Sequence, residues 1–172
     1  MIAAALLALA GALAWRSACP LAARSTLPEL RGTWDVLMIG GLDRPRPDSS
    51  RAESVISPDL QGCVLRERVL ARTGNHRYEA MVFWGVNGAD SAVQRVFVHS
   101  QHGRFGVYQG RRAGSGLRLR QQDLSGQSDS ILVENHVLVR DHDHFMITSR
   151  LSNDRGRTWI ALSRREYRRT PA

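Results

Sequence analysis

Short runs rich in Val, Ile, Phe, Tyr and Trp follow one another from Gly32 onward, and each is closed by Gly, Asn, Asp or Ser. This pattern is typical of β-strands bounded by turns. No helix is predicted beyond the N-terminal segment. The predicted strands span residues 32–39, 52–56, 63–71, 78–86, 93–100, 105–109, 117–122, 131–140, 145–151 and 158–168.

The connections between the predicted strands are short and rich in turn-forming residues. The sequences TGNH, VNGAD, QHGR, RAGSG, RDHDH and NDRGR are all suited to hairpins. Strands that are neighbours in sequence should therefore pair, which makes an antiparallel meander. Because closure removes the two exposed edges, we predict an all-β fold of about eight to ten strands closed into a barrel. A two-sheet sandwich is the alternative.

Alternation of apolar and polar positions differs between strands. Leu117 and Leu119 alternate with Arg118 and Arg120, as in a strand with one face buried. In YEAMVFWGV and ILVENHVLV both faces are largely apolar. Such strands are expected either to be covered on the outer face too, or to line a cavity on one side and contact protein or membrane on the other.

The apolar stretch from Ile2 to Trp15 is too short to span a bilayer comfortably, but it suits the apolar region of a signal peptide. Small-residue cleavage patterns end at Ala14 and Ala23. We predict a signal peptide or retained N-terminal anchor with a linker over residues 1–28, and one barrel domain over residues 29–172. Localisation is expected to be periplasmic or secreted, and membrane association is possible through a retained anchor.

The formal charge of +8 raises the question of nucleic acid. All 24 basic residues are Arg, which codon bias in a GC-rich genome would produce. They are scattered, without the dense basic block or interleaved aromatic residues of a single-strand binder. No nucleic-acid partner is predicted.

The two cysteines, Cys19 and Cys63, fit an oxidising compartment only if both survive processing and can meet. Cleavage after Ala14 keeps both. Cleavage after Ala23 leaves Cys63 as a small buried hydrophobic residue.

Several short motifs of this chain occur in the same order as in a known group of β-barrel proteins. Gly32-x-Trp34 with the last predicted strand, REYRR, resembles the calycin plan, in which a Trp at the closed end packs beneath an Arg or Lys of the final strand. The chain from Leu30 to Arg169 is similar to a group of uncharacterised bacterial lipocalin-like domains. These share a Gly-Cys before a charged strand, here QGCVLRERV, and an S-x-D-G-G-x-T-W ending followed by Y-x-R, where Arg155 replaces the first Gly. The resemblance implies a lipocalin-like barrel and no particular activity.

The ending SNDRGRTW, residues 152–159, also resembles the Asp-box of sialidases. Propellers that carry this box repeat it in every blade, and this chain has no second copy. Asp154 is therefore interpreted as a turn former, without a catalytic role.

Two clusters suggest chemistry, and each has a plainer interpretation. RDHDH places His142 and His144 at spacing that can share a metal, with His136 as a third ligand, but the segment falls at a predicted hairpin. Glu134 shares a strand face with His136, as a general acid and base would, but a cross-strand pair with Arg serves equally. We predict no metal site, cofactor or catalytic residue.

Strand VQRVFVHS puts Arg95, Phe97 and His99 on one face. That face either looks into the barrel and offers Arg95 and His99 to a polar ligand group, or is solvated while Val96 and Val98 face the core.

The predicted function is an exported barrel, monomeric or homodimeric, that binds a small, largely apolar ligand in its lumen. Phe83 and Phe145 are further candidate lining residues. The alternatives are a small calycin-like enzyme of the isomerase or cyclase type and an Arg-rich surface interaction module. The predicted ligand-binding residues are Trp84, Arg95, Phe97, His99 and Tyr108.

Overall fold

The structure is a computed structural model that describes residues 27–73, 76–101, 103, 105–122 and 131–171. Ten strands form the fold, and each overlaps one of the ten predicted strands. They are β1 (Gly32–Gly40), β2 (Asp48–Asp59), β3 (Val64–Thr73), β4 (His76–Val86), β5 (Val93–His99), β6 (Gly106–Ala113), β7 (Gly116–Gln121), β8 (Leu132–Val139), β9 (His144–Ser152) and β10 (Ile160–Arg169).

Each strand pairs antiparallel with its neighbour in sequence, and β1 pairs with β10 to close the barrel. This confirms the predicted closed meander over the alternative sandwich. The largest difference lies in β2, which starts at Asp48, four residues before the predicted strand, because its polar first residues pair with the end of β1. Cross-strand partners override the weak strand propensity of Asp and Ser at these positions.

One end of the barrel is closed by the start of β1 and a short 3-10 helix at Pro28–Leu30. The indole of Trp34 is fully buried and donates to the carbonyl of Leu30 at 3.0 Å. The guanidinium of Arg169 lies 4.3 Å from the Trp34 ring centre and donates to the carbonyls of Arg31 and His142. This is the Trp and Arg arrangement that the calycin resemblance implies.

The inner and outer faces follow the alternation along each strand. Leu117 and Leu119 are buried while Arg118 and Arg120 are exposed, as predicted. On β4, Val82 and Trp84 point inward, so the intervening Phe83 faces outward and is 37% exposed. Phe83 therefore does not line the lumen, and its assignment as a lining residue is wrong.

The turn between β9 and β10 is organised by Asp154. Its carboxylate accepts from the backbone N–H and hydroxyl of Thr158 at 2.8 and 2.7 Å and from the Ser152 hydroxyl at 2.7 Å. These bonds, the Thr158 hydroxyl foremost, lower the pKa of Asp154 to about 2. Arg155 has φ of 59°, in the left-handed region where Gly would be favoured.

The predicted signal peptide or anchor lies almost wholly outside the described residues, so its processing stays a prediction. Leu27 and Leu30 already belong to the buried core. Cys63 is disulfide-bonded, and its partner lies outside the described residues. Among the described residues, no helix is long and apolar enough to cross a membrane.

Candidate functional site

A cavity of about 770 Å³ opens at the end of the barrel opposite Trp34. It lies between the end of β1, the starts of β2, β4 and β10, and the ends of β3 and β5. Its inner wall is mixed in character, with apolar, aromatic and cationic side chains. The residues that reach into the barrel from these strands include Met38, Ala71, Tyr78, Phe97, His99 and Arg165.

Three rings on β4 and β5 form one side of the cavity. The Phe97 and His99 rings are stacked, with centres 5.8 Å apart and planes at 8°, and Tyr78 lies 5.7 Å from His99. Gly106 makes room for this arrangement, because a Cβ at that position would collide with the Phe97 ring. The predicted residues Phe97 and His99 therefore line an open cavity together.

Arg95 lies directly below Phe97 and is only 2% exposed. Its guanidinium is 5.0 Å from the ring centres of both Phe97 and Trp84 and 5.8 Å from that of Tyr108. Its Nε and Nη2 atoms are buried and find no hydrogen-bond partner among the described residues. Burial, and then the charge of Arg165, lower the pKa of Arg95.

The position of Arg95 decides between the two interpretations of β5. The face carrying Arg95, Phe97 and His99 looks into the barrel, while Val96 and Val98 are only partly buried on the outer side. The solvated alternative is wrong. Both faces of β5 carry apolar residues, so the alternation alone did not show which face is enclosed.

Glu67 is a fully buried carboxylate in the lumen, and it was not predicted to lie there. Three neutral donors hold it: the hydroxyl of Tyr167 at 2.8 Å, the indole N–H of Trp84 at 3.1 Å and the hydroxyl of Ser54 at 3.1 Å. Burial, and then the Glu67 charge, raise the pKa of Tyr167, which therefore keeps its proton and donates. Leu65 and Val69 lie on the same face of β3 as Glu67 and are buried. This apolar alternation is the sequence feature that could have predicted the burial of Glu67.

Arg165 adds a second cation to the interior. It reaches the cavity from β10 and lies close enough to Arg95 for its charge to lower the pKa of Arg95. Beneath the mouth of the cavity, the charged side chains around Arg95 are thus those of Arg165 and Glu67, and Glu67 already accepts hydrogen bonds from three donors. The lumen therefore has an excess of positive charge.

Trp84 and Tyr108 belong to the layer beneath the cavity. Trp84 is 1% exposed and Tyr108 is 6% exposed. Both contact Arg95, and burial raises the pKa of Tyr108, whose hydroxyl lies 3.4 Å from the Gln121 side-chain oxygen. The five predicted residues are thus adjacent, with two at the cavity and three below it. Phe145 packs instead at the closed end, 4.8 Å from Trp34.

Glu134 lies on the outer wall, where it is 1% exposed. It accepts from Arg118 at 3.1 Å, Arg120 at 3.0 Å and Arg150 at 2.9 Å, and it contacts His136 at 3.2 Å. Burial opposes ionisation, but these partners outweigh it and lower the pKa of Glu134 to about 2. Glu134 and His136 do meet, but outside the barrel and among arginines, which matches the cross-strand interpretation.

The RDHDH segment forms a turn. The Asp143 backbone N–H donates to the Asp141 carboxylate at 2.8 Å, and Asp143 accepts from Arg169 at 3.0 Å. His142 lies 2.7 Å from the same Asp143 oxygen. Within the described part of the chain, no group of three or more His, Cys, Asp or Glu residues is arranged to hold a metal ion.

No protein-family model and no curated protein matches the chain. Solved structures do. The S-type phycobiliprotein lyase CPES from Guillardia theta is 11% identical, with 85% of this chain and 91% of that chain covered and a TM-score of 0.57. Rv2717c from M. tuberculosis is 14% identical, with 84% and 95% covered and a TM-score of 0.56. At such identities the likeness concerns the fold alone, which is a calycin-like β-barrel of ten strands.

Proposed function

We propose that this protein binds a small, largely apolar molecule that carries one anionic group, with the anion directed toward Arg165 and Arg95. The observation that carries the proposal is Arg95, a buried guanidinium with two nitrogen atoms that lack hydrogen-bond partners among the described residues. A buried, unpaired cation is costly, and an anionic ligand group offsets that cost.

The cavity suits the apolar part of such a molecule. Its volume of about 770 Å³ lies within the range of small-molecule sites. Met38 and the Tyr78 and Phe97 rings offer apolar contacts, and Arg165 lies in the same wall. A carboxylate, sulfonate or phosphate group would gain charge-assisted hydrogen bonds there.

Export belongs to the same proposal. The apolar segment at the N-terminus supports it, and so does the disulfide at Cys63, because disulfides persist mainly in oxidising compartments. Fractionation of the native host, with the mass of the isolated chain, tests this part. A periplasmic or secreted chain shortened at its N-terminus is expected, and a full-length cytoplasmic chain would contradict it.

The ligand proposal is tested with two fluorescent probes that differ in charge. 1-Anilinonaphthalene-8-sulfonate is anionic, and N-phenyl-1-naphthylamine is a neutral relative of similar size. Arg95→Met and Arg165→Met are expected to weaken binding of the anionic probe about tenfold or more, since a hydrogen bond to a charged group contributes roughly 1.5–3 kcal/mol. Binding of the neutral probe should change less than twofold.

Arg51→Met is the matched control, because Arg51 is an exposed arginine on the outer face of β2. It removes the same charge and should leave both affinities unchanged. Equal affinities for the two probes in all variants would show that the lumen does not select an anion. Failure of both probes to bind the parent protein would contradict a lumen site of this size.

A further inference from the structure

The guanidinium of Arg95 has a free edge inside the barrel. Its Nε and Nη2 atoms are buried and have no hydrogen-bond partner among the described residues. These two nitrogen atoms lie on the same side of the planar guanidinium, and their N–H bonds point in nearly the same direction. A single acceptor placed in that plane can therefore accept hydrogen bonds from both.

Two exposed arginines show how this edge is used elsewhere in the chain. On Arg68, the Nε and Nη2 atoms donate to one oxygen atom of Glu79 at 3.0 and 2.8 Å. On Arg120, the same two atoms donate to one oxygen atom of Glu134 at 3.3 and 3.0 Å. Each edge thus converges on one acceptor atom, which is what a single-atom anion supplies.

Three aromatic rings enclose the free edge. The guanidinium carbon of Arg95 lies 5.0 Å from the ring centres of Trp84 and Phe97 and 5.8 Å from that of Tyr108. The residue as a whole is 2% exposed. Because so little of Arg95 is accessible, an anion of one atom fits beside it more readily than a larger anion does.

An oxyanion such as sulfate or phosphate needs more donors than these surroundings offer. The indole N–H of Trp84 and the hydroxyl of Tyr167 already donate to Glu67, at 3.1 and 2.8 Å. The Tyr108 hydroxyl faces the side-chain oxygen of Gln121 at 3.4 Å. Oxygen atoms beyond the one held at the free edge would therefore lie against aromatic carbon, and buried acceptors without donors are costly.

The charge around Arg95 favours a monoanion. Its charged neighbours are Arg165 and Glu67, so two positive charges stand against one negative charge. The hydrogen bonds of Glu67 come from neutral donors, so its carboxylate does not fill the free edge. One positive charge is left uncompensated, and burial makes such a charge costly until an anion lies beside it.

We propose that the free edge of Arg95 binds one halide ion, which in biological fluids is chloride, and that the anionic group of the lumen ligand displaces it. The halide site stands on the geometry of Arg95, whereas the displacement rests on the proposed function. A high concentration of chloride would then weaken the binding of an anionic molecule by competition.

Chloride NMR of the full chain in sodium chloride solution tests the halide site. The chloride resonance broadens when ions exchange with a fixed site on a protein, so the excess line width measures that binding. We expect the excess line width of the parent protein to fall about tenfold in Arg95→Met, since a hydrogen bond to a charged group is lost.

Arg51→Met is again the matched control, because it removes one exposed arginine from the outer face of β2. The excess line width should fall by less than about a fifth, since an exposed arginine holds ions weakly. An equal loss in Arg95→Met and Arg51→Met would overturn the halide site, because it would show a response to net charge alone.

Competing ions test the preference for a single atom. Bromide should remove the excess chloride line width of the parent protein. Sulfate and inorganic phosphate at the same ionic strength should leave it nearly unchanged. Displacement by sulfate or phosphate as effective as that by bromide would overturn the assignment to a halide.

Crystals of the parent protein grown with sodium bromide supply a test that needs no substitution. Anomalous signal from bromide should appear within hydrogen-bonding distance of both Nε and Nη2 of Arg95. Signal confined to arginines on the outer face of the barrel would overturn the proposal.

The two fluorescent probes test the displacement. 1-Anilinonaphthalene-8-sulfonate should return the chloride line width of the parent protein to that of Arg95→Met, because its apolar part gives it an affinity for the cavity that a free oxyanion lacks. N-phenyl-1-naphthylamine should leave the chloride line width unchanged. An anionic probe that binds while chloride stays bound would overturn the displacement.

The same measurements separate this proposal from the proposed function. Binding of the anionic probe that depends on Arg95, without any excess chloride line width, would overturn the halide site and leave the proposed function standing. Excess line width that depends on Arg95, with neither probe bound, would contradict the proposed function and leave the halide site standing.

Discussion

Glu67 and Glu134 are both almost fully buried, at 0% and 1% exposed, but they are stabilised in opposite ways. Glu67 faces the lumen and accepts hydrogen bonds from Ser54, Trp84 and Tyr167, all of which are neutral donors. Glu134 faces outward and is surrounded by arginines. The same side chain thus serves two different environments.

This difference determines which groups in each region remain able to bind an anion. Because neutral donors hold Glu67, the guanidinium of Arg95 retains nitrogen atoms without hydrogen-bond partners among the described residues. On the outer wall, one carboxylate is shared by several arginines, so positive charge remains at the surface. Both regions therefore favour an anion, one in an enclosed and apolar setting and the other in contact with water.

The largest expected effect is that of Glu67→Ala. The substitution leaves the Trp84 indole, the Tyr167 hydroxyl and the Ser54 hydroxyl without their acceptor inside the barrel. Unsatisfied buried groups cost about 1–3 kcal/mol each, so we expect the free energy of unfolding to fall by about 3 kcal/mol or more in total. Urea denaturation at pH 7 measures it.

Glu67→Gln keeps the size of the side chain and serves if the Ala variant does not fold. It should cost about 1–3 kcal/mol, since the amide retains one acceptor oxygen. A loss below about 0.5 kcal/mol in the Gln variant would mean that the three donors do not depend on the carboxylate.

Glu134→Gln should cost less, about 1–2 kcal/mol at pH 7, because solvent screens the half-exposed arginines around it. The pKa of Glu134 in the folded protein is lowered to about 2 from an ordinary 4.5. The stabilisation is therefore fully present above about pH 4.5 and is lost as the pH falls toward 2. Urea denaturation of both proteins at pH 7, 4.5 and 3 should show the gap closing, and a gap independent of pH would contradict this account.

Arg95→Met tests whether Glu67 depends on a neighbouring cation as Glu134 depends on arginines. We expect a change in the free energy of unfolding smaller than about 1 kcal/mol. Loss of the cation–π contacts with Trp84, Phe97 and Tyr108 is offset by removing two unpaired buried nitrogen atoms. A loss of about 3 kcal/mol or more in thermal or urea unfolding would mean that Arg95 and Glu67 act as a buried ion pair.

The smallest expected effect is that of salt. Raising sodium chloride to about 1 M should reduce the difference between the parent protein and Glu134→Gln by less than about 1 kcal/mol, because exposed charges are screened. The difference between the parent protein and Glu67→Gln should not change, since no salt reaches neutral donors inside the barrel. If salt changed the stability differences of Glu134→Gln and Glu67→Gln equally, the two carboxylates would not differ in the charge of their partners.

Several features could be predicted because their causes are local. Turn residues and apolar runs indicated ten strands, and all ten exist. The calycin resemblance implied a contact between Trp34 and an Arg of the last strand, and Arg169 makes this contact at 4.3 Å. Asp154 was interpreted as a turn former, and its carboxylate accepts three hydrogen bonds within the turn or from its flanks.

The interior polar residues were harder to predict. Glu67 stands between Arg66 and Arg68, and such a run is typical of an exposed strand, so its burial was missed. Arg165 follows Arg164 in the last strand, where alternate positions face inward. The sequence did not show which of the two arginines points into the barrel. Phe83 was placed in the lumen on its aromatic character, but its neighbour Trp84 occupies the inward position.

Local sequence by itself determined where strands and turns lie, because alternation and turn chemistry act between residues close in the chain. The choice of inner face was decided by the tertiary structure wherever both faces carry apolar side chains, as on β5. There the pairing register and the closure of β1 on β10 set the orientation, and a slip of one residue would have turned Arg95 outward. The cationic lumen exists because ring closure encloses Arg95, Arg165 and Glu67, which lie far apart in the sequence.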